Sequence, residues 1–236
     1  MLVLRRILIL GLFATLLSGC GSVPPVAPAV GETLPAPGPA PVAATHVIDA
    51  AQSDVRFLVF RAGTLARLGH NHVVRAAAID GQIVLADELR LSSFVLRLPV
   101  AGFRVDEPAL RAEEGEAFAS VVSAEAAAGT RNNMLGEAVL DAGRHPQVEI
   151  RSLSVSGPAW APDVTVAIRL RGVEHRQTVP VALDRQPGRL VATAVFEVRQ
   201  SDFGIVPFSV LGGALQVADA LKVRMRLVAV PAEPLR

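Results

Sequence analysis

The chain has 236 residues, 51% of them hydrophobic and 19% charged, and a formal net charge of +1. With no tyrosine and basic residues scattered singly, that balance excludes a nucleic-acid surface built from a cationic patch and stacking aromatics. The single cysteine, Cys20, excludes an intramolecular disulfide and a multi-thiolate metal site.

The opening stretch MLVLRRILILGLFATLLSGC sets Arg5 and Arg6 before an apolar run, Ile7–Leu17, and the small residues Ser18 and Gly19. That order predicts a secretory signal over 1–19. The run is short against the roughly 20 apolar residues that a membrane-spanning helix requires. The tetrapeptide LSGC, Leu17–Cys20, resembles a bacterial lipobox, which implies cleavage before Cys20 and diacylglyceryl attachment to its sulfur. Buried acyl chains contribute about 0.8 kcal/mol per CH₂, so such an anchor is firm. Gly21 after the cysteine resembles the sorting signal of an outer-membrane lipoprotein, which implies a location in the cell envelope facing the periplasm. Residues 20–45 follow as a Pro/Ala-rich linker whose only charge is Glu32, a composition that favours semi-rigid polyproline II.

Residues 46–232 read as one domain dominated by period-two alternation. DVRFLVF puts Val55, Phe57 and Val59 on one face, AIDGQIVL puts Ile79, Ile83 and Leu85 together, and SFVLRLPV does the same for Phe94, Leu96 and Leu98. Residues 107–140, rich in alanine and glutamate, predict one or two short helices before the turn DAGRHP, with RAEEGE (111–116) as a solvated helix face. Alternation resumes in HPQVEIRS, in DVTVAIRLRG (Val164, Val166, Ile168, Leu170) and in QTVPVALD (Val179, Val181, Leu183). It continues in RLVATAVFEV (Leu190, Ala192, Ala194, Phe196, Val198) and LKVRMRLV (Leu221, Val223, Met225, Leu227). Strands with one dry and one wet face are half-buried and antiparallel. About eight of them predict an all-β fold with minor helix, packed as two sheets or closed as a barrel around side chains or one elongated ligand.

The stretch RLGHNHVV (67–74) is the one cluster of chemical interest. In an extended chain His70 and His72 project from the same face. Three readings fit. The imidazoles and Asn71 hydrogen-bond exposed backbone at a strand entrance. Alternatively His70 and His72, with Arg67 and Arg75, form a polar rim that clamps a lipid headgroup. Or the two histidines bind a metal or haem, which requires further ligands such as His145, His175 or Asp219. His46 sits beside the linker and is expected to be solvated.

No catalytic motif is present. G-x-S-x-G is absent, LGGAL (211–215) lacks the Lys-Ser/Thr of a phosphate-binding loop, and no acid is placed beside the histidines by spacing.

Four stretches, in order, resemble a known family: HVIDAAQSDVRFLVF (46–60), NNMLGEAVLDAGRHPQVEIRS (132–152), AIRLRGVEHRQTVPV (167–181) and QSDFGIVPFSVLGGALQVADALKVRMRL (200–227). Together they are similar to the YceI-like family of bacterial polyisoprenoid-binding, lipocalin-like proteins. The resemblance implies an eight-stranded antiparallel barrel closed by one or two short helices, with an apolar channel for an isoprenoid or other long-chain lipid. It implies channel-lining roles for Phe57, Val59, Phe94, Leu96, Val166, Ile168, Val181, Ala194, Phe196, Val223 and Met225. Alternation alone fits a solid core equally well. The expectation is a non-catalytic lipid carrier in the envelope. Its partners are a long-chain lipid and a membrane reached through Cys20, with no nucleic acid. No cofactor is expected beyond a bound isoprenoid or fatty-acid-like lipid. The alternatives are a metal- or redox-linked periplasmic accessory protein using His70 and His72, and a structural protein with a filled barrel.

Overall fold

A computed structural model describes residues 44–233. The expected signal segment, Cys20 and all but the last two linker positions lie outside the described residues. The elements in chain order are β1 (His46–Ile48), β2 (Asp54–Ala62), β3 (His72–Ala76), β4 (Asp80–Val84), β5 (Ser93–Pro99) and β6 (Phe103–Val105). Next come α1 (Pro108–Glu113), α2 (Ala124–Leu135), β7 (Gln147–Ser156), β8 (Asp163–Leu170), β9 (Val173–Pro180) and β10 (Ala182–Gln186). The last are β11 (Arg189–Arg199), β12 (Ser209–Val210) and β13 (Leu215–Pro231). The fold is all-β with few helices, and the helical stretch falls where alanine and glutamate displace β-branched residues.

Every ladder is antiparallel, and the 17-residue β13 is their common seam. One of its edges pairs with β2 and then β1; the other pairs with β12 and β11. From β1 the sheet continues through β4, β5, β7, β8 and β9, and from β2 through β3 to β6. The register places Val223 opposite both Phe57 and Phe196, and Met225 opposite Val55 and Ala194. Oily side chains from three strands therefore meet in layers on one face. Register shifts between Val217 and Leu221 and between Ser152 and Ser154 curl the sheet at those points.

The expectation of eight strands closed into a barrel is not confirmed. The described residues form thirteen strands in a sheet whose ladders do not close. β9 runs on through Val181 into β10, which forms a hairpin with β11, but beyond Ala182 and Thr193 the two chains part. Among the described residues only Gln177 Nε2, donating to Glu197 O at 3.3 Å, crosses that seam by hydrogen bond. Right-handed twist separates long hairpin strands in this way once their turn is left behind. The five extra strands are β1, β3, β6 and β12, short pieces outside the eight alternating segments, and the division of QTVPVALD at Val181 between β9 and β10.

The main core lies on the inner face, including Val55, Leu98, Val100, Phe203 and Val223, each at most 2% exposed. Burying such side chains contributes roughly 1.5–3 kcal/mol apiece. On the outer face of β2 and β3 a smaller cluster joins Leu58 and Val73 to Phe118, with Phe60 and Leu110 beside it. The segment 106–120 thus covers both strands from outside.

Two loops near the N-terminal end of β13 are locked together. Leu65 N donates to Ala214 O at 2.8 Å. Gly63 has φ +91°, and a Cβ there would lie 2.4 Å from that same carbonyl oxygen. Gly63→Ala is expected to destabilise the fold by more than about 1 kcal/mol, read as a lowered urea midpoint. An unchanged midpoint contradicts the packing described.

Candidate functional site

Between the inner face of the sheet and α2 lies a cavity of about 410 Å³, within the roughly 300–1,000 Å³ typical of ligand sites. A second, of about 120 Å³, continues toward the opposite end of the sheet. Ile150, Phe196 and Met225 line both and form the waist between them. Among the described residues neither wall carries a carboxylate or a lysine, and Arg61 is the only arginine, at the mouth of the larger cavity. The hollow arises because its layers mix large residues with Val and Ala, so that side chains such as Phe57, Phe196 and Met225 stay only half-buried although they point inward. Buried charge without a partner costs several kcal/mol, so such walls suit a hydrocarbon occupant.

All eleven residues expected to line a channel border one cavity or the other. Phe57, Val59, Ile168 and Val223 line the larger; Phe94, Leu96, Val166, Val181 and Ala194 line the smaller; Phe196 and Met225 touch both. The single lengthwise channel is thus divided at its waist. From α2, Ala126, Thr130, Asn133 and Met134 close over one side of the larger cavity. Ser123 caps that helix by accepting from Ala126 N at 3.1 Å.

Of the four polar-rim residues, His70 and His72 line the larger cavity, with ring centroids 6.4 Å apart. Arg67 is exposed on a short 3₁₀ turn and does not line it. Arg75 points to the outer face, where Nε and Nη2 donate to Glu107 at 2.7 and 3.2 Å. That pairing holds the Glu107 carboxyl below its usual range.

Nothing gathers a metal around the histidine pair. Among the described residues no three His, Cys, Asp or Glu side chains converge. His145 packs under Gly172, and His175 lies within β9, beside Phe203 and 3.6 Å from Asp202. Asp219 accepts from Ser201 N and Oγ.

The GHNH stretch is instead tied into a buried network with no signal in the periodicity. Asn71 is buried: its Oδ1 accepts from Arg61 N at 3.0 Å and its Nδ2 donates to Ala117 O at 2.9 Å. His72 Nδ1 donates to Asp106 Oδ2 at 2.6 Å. Asp106 Oδ1 accepts from Val73 N at 3.0 Å and from Arg111 Nη1 at 2.6 Å. Arg111 also donates to the carbonyls of Asn71, Phe118 and Ser120. The expectation that RAEEGE is a solvated helix face is therefore corrected. Arg111 is only 5% exposed, and the Glu114 side chain is nearly covered between Arg56 and Arg224. An Arg buried on a helix of six residues is invisible to periodicity, since so short a helix offers no repeat to read. Burial alone would raise the Asp106 carboxyl, but the hydrogen bonds from His72 and Val73 and the Arg111 guanidinium outweigh it and hold the group below its ordinary value.

The family model described as the YceI-like domain matches residues 46–229. The fold is similar to the crystal structure of BcnA from Burkholderia cenocepacia, with TM-score 0.59 and 17% identity, covering 78% of this chain and 99% of that one. It is also similar to a Campylobacter jejuni YceI protein, with TM-score 0.48 and 9% identity, covering 68% and 85% respectively. Comparison with curated proteins gives no match.

Arg111→Ala strips Asp106 of its guanidinium partner and leaves several carbonyls without a donor, and is expected to destabilise the fold by about 3–5 kcal/mol. Equilibrium urea unfolding measures it, and a loss within error of zero contradicts the network. Because the folded Asp106 pKa lies below its ordinary value of 3.8, the unfolded chain binds the extra proton. The contribution is therefore complete above that value and fades as pH falls below it through the folded pKa. Asp106→Asn is expected to be less stable at neutral pH and to lack this part of the acid-induced loss; parallel curves for the two proteins contradict the assignment.

Proposed function

The chain belongs to the YceI-like domain family, and from that premise we propose that it binds, without catalysis, the hydrocarbon tail of one long-chain amphiphile, an isoprenoid or similar lipid, in the bacterial envelope. One observation carries this reading: an apolar cavity of about 410 Å³, walled by a curled sheet, with exposed side chains at its mouth. Its shape suits a tail that enters from the mouth and reaches the waist. That His70 and His72 line this cavity, with His72 bonded to Asp106, supports a contact between them and a polar head.

Carriage rather than reaction is favoured by the chemistry of the walls. His72 and Asp106 have the arrangement of a base and its orienting acid, but no hydrogen bond joins that imidazole to a hydroxyl among the described residues. The cavity wall includes one hydroxyl side chain, Thr130 on α2. The LSGC tetrapeptide and Gly21 support attachment through a lipidated Cys20 to the outer membrane, on its periplasmic side.

Mass spectrometry of an organic extract of the purified protein tests the reading. A stoichiometric long-chain lipid is expected, or uptake of polyprenyl phosphate by protein that has been stripped; neither together refutes it. Met225 is the adaptable member of the waist, a flexible thioether between the cavities. Met225→Ala is expected to join them and shift the preferred chain toward longer tails in a competition between homologous polyprenyl phosphates. An unchanged preference contradicts the role of the waist. Cys20→Ser is expected to abolish palmitate labelling of the protein in cells; persistent label contradicts the anchor.

A further inference from the structure

We propose that the mouth of the larger cavity docks on a membrane surface bearing anionic lipids, with Leu68, Phe208, Val210 and Leu211 entering its apolar layer. The proposal rests on the lipid-binding reading above. Exposed residues of the cavity wall, among them Leu68, Phe208, Val210, Arg61, Ala126 and Asn133, mark where it opens. Around that opening the surface is unusually oily, with Leu68 61%, Val206 79% and Leu211 68% exposed. Clustered exposed apolar side chains mark a contact surface, whereas scattered ones carry no meaning.

The charges nearest the opening are mostly cationic. Residues 203–218 contain no charged side chain, and residues 61–72 contain Arg61 and Arg67 and no carboxylate. Asp202 and Asp219, which flank the first stretch, are engaged by His175 and by Ser201, and Glu125, next to Ala126 on α2, is an acid adjoining this surface. An oily tip edged by cations complements a bilayer with anionic phosphates above hydrocarbon. A bilayer also supplies what the cavity takes, so a tail can pass from one apolar medium to the other without crossing water. The platform is preformed: Leu65 N bonds Ala214 O at 2.8 Å, Val217 N bonds Phe208 O at 2.9 Å, and a Cβ at Gly69 would come within 2.9 Å of Leu215 Cδ1. The chain enters the fold at the other end, where His46 pairs with Pro231 at the C-terminal end of β13. Docking by the mouth is therefore a contact separate from any tether upstream.

Hydrogen–deuterium exchange on the full chain tests this, with vesicles of phosphatidylglycerol and phosphatidylcholine against phosphatidylcholine alone. The mixed vesicles are expected to slow exchange severalfold in 63–70 and 205–214, leaving 158–162 beside the smaller cavity unchanged. The double variant Leu68→Asp, Leu211→Asp is expected to lose that protection. No slowing at the mouth, the same slowing in the double variant, or slowing that needs only more protein and no vesicles overturns the proposal. Uptake of polyprenyl phosphate from detergent micelles, measured on both proteins, separates the two readings. Uptake without vesicle protection removes the docking and leaves the cavity, while vesicle protection without uptake removes the cavity reading and leaves the docking.

Discussion

Side chains of a strand alternate between faces, so a sheet that curls must commit every second residue to its inside. Here β13 enforces the commitment, because its two edges hold β2 and β1 on one side and β11 on the other. A slip of one residue along that seam would turn Val223 and Met225 out and bring Arg224 and Arg226 into the interior. Ladders fix the spacing of the walls, and the side chains between them do not fill it. By the rule of about 24 cal/mol per Å³ for emptied cores, a hollow of 410 Å³ sets an upper bound on the order of 10 kcal/mol of forgone packing. That is comparable with the whole net stability of a typical domain, about 5–15 kcal/mol. A tail in the cavity recovers part of it, which is the physical basis for expecting an occupant.

The wall next to the mouth is made differently from the rest. Elsewhere the strands bury apolar side chains inward and expose arginine outward. At β3 both faces are covered, and the segment 106–120 is fastened there by Asp106, Arg111 and Asn71. A network in which each buried polar group has a partner is rigid and intolerant of single deletions. It also fixes His72, so the imidazole presented to the cavity is held by the same bonds that hold the loop.

Much of this was legible in the sequence. The inward faces are right in every alternating segment, because period two survives wherever one side of a strand is wet. The inward orientation of the eleven positions follows from that; their role in lining a channel was implied only by the family resemblance. Closure was not legible: whether β9 and β11 pair depends on how far a hairpin stays together after its turn, and Val181 and Thr193 alternate the same way in either case. The hollow was not legible either, since Val166 and Ala194 pack a solid core as readily as they line a space. Nor was the buried role of Arg111, whose surroundings come from Asn71, Phe118 and Ser120, brought together only by the fold. The pattern RAEEGE carries the composition of an exposed helix, and long-range contacts override it.

Diffraction from crystals grown with a fatty acid brominated at its terminal carbon shows whether the hollow inside the sheet receives a lipid tail. A bromine anomalous peak is expected at the floor of the larger cavity, against Ile150, Phe196 and Met225. A peak on the outer face of the sheet, or a cavity closed by its own side chains with no bromine in it, refutes lipid binding in the hollow.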